Sequence, residues 1–140
     1  MVTLLRVRLS TDECMDALTR ARWARLAATR NALPTIEVAT CWVEGDTMWL
    51  SPPTGGWSDG RTPAGVVAVE AGEWDDLAAP RWTVVLVAEI RPVAAGARAL
   101  PAPARGPGVA VVRVSPETLE GWRFLPTTEV DERATPAPTG

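Results

Sequence analysis

Apolar and polar positions along the chain change period several times, and each change marks an element. Ser10-Thr11-Asp12-Glu13 has the form of a capping box, with a hydroxyl at the cap and a carboxylate three residues on. A helix is therefore expected from there to about Arg20, burying Cys14, Ala17 and Leu18. From Trp23 the period becomes two. Trp23, Arg25, Ala27 and Thr29 alternate with Ala24, Leu26 and Ala28, and Asn31-Ala32-Leu33-Pro34 supplies a turn. Thr35 to Val43 is a strand in which Ile36, Val38, Thr40 and Trp42 share one face. Glu44-Gly45-Asp46 reverses it, and Thr47 to Ser51 returns, giving a three-strand meander.

Pro52 to Pro63 opens with four prolines and glycines in five residues and reads as an ordered loop. Strands are expected over Ala64–Glu70, Arg81–Val93 (the longest), Gly108–Ser115 and Glu120–Phe124. Between them lie an acidic loop, Ala71–Pro80, and a Pro/Ala/Arg connection, Ala94–Pro107. One domain over residues 1–126 and a disordered tail over 127–140 complete the division. Val66 to Val69, Val84 to Ala88 and Val109 to Val112 are apolar at both parities. One face of such strands fills a barrel, and the other needs a cover that a single helix cannot supply. The expectation is a mainly β, closed antiparallel barrel, capped by the N-terminal helix and forming a homodimer.

The 140 residues carry a formal charge of -3, with no His and no Tyr, and all 14 basic residues are Arg. Lacking His, the chain has no imidazole metal site, Ser-His-Asp triad or haem-ligating histidine. Lacking Lys, it has no Schiff base and no P-loop lysine. Mild acidity without a basic run argues against nucleic-acid binding. Cys14 and Cys41 are too few for a metal cluster and read as buried small hydrophobes in a reducing compartment. No apolar run has the length of a signal peptide core or a membrane span, so the cytoplasm is the expected location.

The order of these elements and several residues resemble the pyridoxamine 5′-phosphate oxidase-like proteins, the flavin-binding split β-barrels. The likeness runs from Glu13 to Phe124. It rests on Glu13-Cys14, on Arg22 to Ala27 as the first barrel strand, and on Pro34 opening the second. It continues through Val43 to Asp46 at the hairpin and Trp82 to Val87. Arg113-Val114-Ser115-Pro116 followed by Gly121-Trp122-Arg123 closes it. The resemblance implies an FMN-dependent oxidoreductase acting on a small molecule, with FMN in a groove at the dimer interface. It places Ser51, Thr54, Arg61 and Trp82 at the cofactor. Leu50 stands at the family's usual basic position, and Gly55-Gly56 replaces the stretch that supplies its lysine, leaving Arg61 as the substitute.

Seven tryptophans support a second reading. Trp49, Trp57, Trp74 and Trp82, with Glu70, would line one groove in a flavin-free barrel. Such a groove would bind a small hydrophobic molecule, or template its rearrangement or cyclisation. A structural dimer without ligand is the third. Glu37, Glu70 and Glu89 could exchange protons if buried in an apolar setting, but pairing with arginine, Arg25 or Arg91 serving, ranks above that. No catalytic residue is assigned.

Overall fold

A computed structural model describes residues 3–74, 80–94 and 106–127. Eight strands and one helix follow in the order β1 (Thr3–Arg8), α1 (Thr11–Arg20), β2 (Trp23–Arg30), β3 (Leu33–Glu44), β4 (Thr47–Ser51), β5 (Gly65–Trp74), β6 (Pro80–Pro92), β7 (Ala110–Arg113) and β8 (Leu119–Thr127). All pair antiparallel in the order β1-β8-β6-β5-β2-β3-β4-β7, and an additional β6–β7 pairing closes the last six into a barrel. The mainly β, split-barrel expectation is met.

The split lies on one edge of β6. Its first half pairs with β8, Trp82 opposite Arg123 through Leu86 opposite Leu119. Its far end pairs with β7, Arg91 opposite Val111. Between them β8 has left and β7 has not yet joined.

Strand parity builds the core. Ala24, Leu26 and Ala28 of β2, Cys41 of β3, Met48 and Leu50 of β4, Val67 and Val69 of β5, and Val84, Leu86 and Ile90 of β6 all point inward and are buried. The helix closes one end. Ser10 accepts from the Glu13 amide at 3.1 Å, and Glu13 accepts from the Ser10 amide at 3.0 Å, the reciprocal cap read from the sequence. The Ser10 backbone bond, first among the causes, holds the Glu13 carboxyl below its ordinary range. Cys14, Ala17 and Leu18 are buried as expected.

Three elements differ from the sequence reading. Thr3–Arg8, where the pattern predicts no element, is a strand because Leu4 to Arg8 find a partner in the far half of β8. Ala71–Trp74 continues β5 instead of opening a loop, since Glu73 still pairs with Trp82. β3 begins at Leu33, with Asn31 and Ala32 both at positive φ (50° and 63°) in a two-residue hairpin turn. Residues 75–79, most of the 94–107 connection and the tail beyond Thr127 lie outside the described residues.

Gly121 lets the helix seat on β8. A Cβ there would stand 2.5 Å from the Cys14 Sγ and 3.2 Å from a Val84 methyl. Gly121→Ala should therefore destabilise the fold by about 1–3 kcal/mol, the usual range for overpacking a core. Cys14→Ala in the same chain should recover part of that loss. Denaturant unfolding of the two single variants and the double measures the coupling, and additive effects would refute the contact.

Candidate functional site

The outward parity of the barrel is less ordinary than its core. Across β3, β2, β5 and β6 the register aligns Ile36, Ala27, Ala68 and Val87 in one row and Val38, Arg25, Glu70 and Val85 in the next. Ile36 is 73% exposed, Val38 52% and Val66 70%. Large contiguous apolar patches on an exposed sheet face commonly mark an interaction surface.

A shallow depression of about 320 Å³ lies on this wall, bedded by Ala27, Ile36, Ala68 and Val85 and edged by Arg25 and Glu70. The Arg25 guanidinium is 2.6 Å from the Glu70 carboxylate. It also lies 5.9 Å from the Trp23 ring centroid, within cation–π range. Next to this row, Trp23 is opposite Thr40, and Thr40 opposite Ser51, all three at outward positions. One end of the wall thus carries an aromatic ring and two hydroxyls.

A second polar construction secures the loop between β4 and β5. Glu37 sits on the inward parity of β3 and is 5% exposed. It accepts from the Ser58 amide at 3.2 Å and from the Ser58 hydroxyl. Arg30 reaches Glu37 at 3.5 Å, pairs with Asp59, and donates to the Arg61 carbonyl at 3.1 Å. A buried carboxylate needs such partners, because desolvation without them costs several kcal/mol. Trp57 completes the loop as a plug, 4% exposed, its indole donating to the Gly108 carbonyl at 2.8 Å.

The residues expected to hold a cofactor do not converge. Ser51 lies beside Thr40 and Trp23, at one end of the β2–β3 hairpin. Arg61 lies at the other, where its carbonyl meets Arg30. About 20 Å of strand separates the two ends, at roughly 3.3 Å per residue. Thr54 is exposed on the intervening loop. Trp82 is buried on the inward parity of β6, its indole donating to Glu73 at 3.0 Å, near the helix. Leu50 faces the core and is fully buried, so position 50 offers no side chain to the outer wall.

Nor do the tryptophans form one groove. Trp49 is on the outer face of β4, opposite Trp42 and Val111. Trp57 plugs the loop and Trp82 faces inward, while the Trp74 side chain lies outside the described residues. Strand parity keeps Trp49 and Trp82 on opposite sides of the barrel wall. The glutamates pair with arginine, two of them with the expected residues, Arg25 and Arg91, and Glu37 with a different one. Glu37 takes Arg30, Glu70 takes Arg25, and Glu89 stands 3.5 Å from Arg91. Sequence reasoning missed the Arg30–Glu37–Asp59 group, whose one local signal is a glutamate at an inward strand position.

Both cysteines are free and buried. Burial pushes the Cys41 thiol up to about 12 and raises that of Cys14, which suits packing and not nucleophilic chemistry. Among the described residues, no group of His, Cys, Asp or Glu has the makings of a metal site, and no helix is long and apolar enough to cross a membrane.

Hydrogen bonds from Arg30 and from the Arg61 amide hold the Asp59 carboxyl below its ordinary range. A carboxyl with a lowered native pKa stabilises the fold above its unfolded value and loses that contribution as pH falls through the native one. Loop stability should therefore decline below about pH 4, the ordinary aspartate range. In Asp59→Asn the melting temperature should vary less with pH over that interval. An unchanged acid limb would remove Asp59 from the loop's anchoring.

No protein-family model and no curated protein matches the chain. Solved structures do. An FAD-binding protein from Mycobacterium smegmatis aligns at TM-score 0.56 and 24% identity, covering 89% of this chain and all of that one. A conserved protein of unknown function from Corynebacterium diphtheriae aligns at TM-score 0.62 and 17% identity, over 86% of this chain and 98% of the other. A Corynebacterium glutamicum protein provisionally named a pyridoxamine 5′-phosphate oxidase aligns at TM-score 0.57 and 17% identity, over 85% and 93%. At these identities the likeness is one of fold, and the chain has the split β-barrel fold of pyridoxamine 5′-phosphate oxidase-like and flavin-binding structures.

Proposed function

We propose that this chain is a flavin-binding oxidoreductase acting on a small molecule, with the flavin against the outer wall and a second copy of the chain covering the rest. The observation that carries the reading is the uncovered apolar wall of β2, β3, β5 and β6, on a barrel whose solved counterparts include FAD-binding proteins. A flat ring needs a flat apolar bed, and Ala27, Ile36, Ala68 and Val85 offer one. The phosphate end of FMN, the flavin expected from the sequence, needs convergent donors. The Ser51 hydroxyl, next to Thr40, is the nearest set on the wall, and Arg61 stands apart from it. Since the phosphate set is thin, the ring carries more of the binding in this reading, and FAD is as admissible as FMN.

A bound flavin supplies the hydride or electron transfer. The protein's part is to hold the ring at the wall, exclude water from its face, and orient the substrate beside it. No side chain need act as nucleophile, which agrees with a chain lacking His and Lys and having both cysteines buried. Two copies placed wall against wall would bury Ile36, Val38, Val66 and Val87, as an isologous interface requires.

Titration with FMN and with FAD, followed by flavin fluorescence and the visible band, should give saturable binding at micromolar concentration or below. Failure with both ends the flavin reading. Light scattering should give twice the 15.0 kDa chain mass. Val38→Asp, at a position already half-exposed, should shift the particle to one chain without unfolding it. A single-chain mass for the unaltered protein would refute the paired wall.

A further inference from the structure

The depression on the outer wall is edged by a charged pair, and its chemistry selects a particular part of a ligand. Arg25 and Glu70 are cross-strand partners on β2 and β5, joined at 2.6 Å, with about two-fifths of each side chain exposed. The guanidinium meets both the Trp23 ring, 5.9 Å to its centroid, and the Glu70 carboxylate, and the two contacts restrain its head. Apolar side chains flank the pair, Ala27 and Ala68 in the adjacent row, with Val38 and Val85 completing its own.

The pair has no net charge. It offers little to a phosphate dianion, which needs an excess of positive charge. It does offer donors beside an acceptor. A guanidinium carries five N–H groups and can serve a ligand alongside its protein partners, and a carboxylate has more lone-pair sites than one guanidinium fills. A donor next to an acceptor, set in a flat apolar bed, complements a planar heterocycle with an imide edge. Such an edge presents carbonyl, N–H and carbonyl in sequence. Arg25 would donate to a carbonyl and Glu70 would accept from the imide N–H.

We infer that the Arg25–Glu70 pair reads the imide edge of a flat heteroaromatic ligand, which under the flavin reading, on which this rests, is the pyrimidine end of the ring. The phosphate then lies away from this pair. Recognition is by hydrogen-bond pattern and not by charge, and a ligand site that leaves either partner unmatched loses affinity accordingly. No covalent or redox step is involved in this recognition.

The test uses riboflavin, FMN and N3-methylriboflavin with the full-length protein. Riboflavin should bind within about tenfold of FMN, because the ring supplies most of the affinity. N3-methylation removes the imide donor and should weaken binding about tenfold or more, the scale of one hydrogen bond left unmade. In Glu70→Ala, riboflavin should weaken by a similar factor, and its advantage over the N3-methyl compound should vanish. Arg25→Lys keeps the charge but loses the planar fork, and should weaken riboflavin too. Circular dichroism and melting temperature check that each variant is folded. If FMN binds while riboflavin does not, or if N3-methylation is tolerated in the unaltered protein, the inference is overturned and the flavin reading survives. If FMN, FAD and riboflavin all fail to bind, both fall together.

Discussion

β6 is the strand on which the other parts of the molecule lean. One of its edges pairs with β5 from Gly65 to Trp74. The other is shared, first by β8 and then by β7. That sharing closes the six-stranded ring and at the same time carries β8, with β1 beside it, out of the ring. The alternating parity of β6 does the remaining work. Trp82, Val84, Leu86 and Ile90 fill the interior, and Thr83, Val85, Val87 and Glu89 are left for the outer wall. A one-residue slip against β5 would exchange the two sets, placing Glu89 in the core and Leu86 outside. Core, split and wall therefore depend on one register.

The Glu37 group and the Arg25–Glu70 pair answer different problems. Glu37 is inward on β3 and would be an isolated buried charge without Arg30 and Ser58. Its partners lie in the loop that follows β4, so satisfying it also fixes that loop and seats Trp57 over the barrel end. Arg25 and Glu70 face outward, where water already solvates them in part, and the fold does not require their pairing. An exposed ion pair contributes at most about 1 kcal/mol to stability. A stability argument explains Glu37 and leaves the Arg25–Glu70 pair without one. That difference is why the second group is the better candidate for ligand recognition.

Much of the fold was legible because it is written in period and caps. The capping box at Ser10, the alternation through β2 and β3, and the length of β6 each follow from neighbours in sequence. β1 was not legible. Its pattern, Thr3 to Arg8, has no buried face, and its one strand partner is the far half of β8. The site was read less well, for a related reason. Ser51 and Arg61 are ten positions apart in sequence, yet the loop carries Arg61 to the opposite end of the β2–β3 hairpin. Trp49, Trp57 and Trp82 are near one another in chain order of elements, whereas parity and loop path separate them.

Position 50 shows how a departure from a family pattern is best understood. A basic residue there would have to leave the interior row that Leu50 shares with Cys41 and Ala110. With Leu50 buried, the outward contribution of β4 is Trp49 and Ser51. The wall at β4 thus presents a hydroxyl and an aromatic ring and no cation. A ligand held by this surface must gain its affinity from a flat apolar face and from hydrogen-bond pattern, with phosphate charge in a minor role. The separation of Arg61 from Ser51 leads to the same preference independently. Under the proposed flavin reading, both features favour recognition of the ring over recognition of the tail, and the neutral Arg25–Glu70 pair edges the apolar bed where the ring would lie.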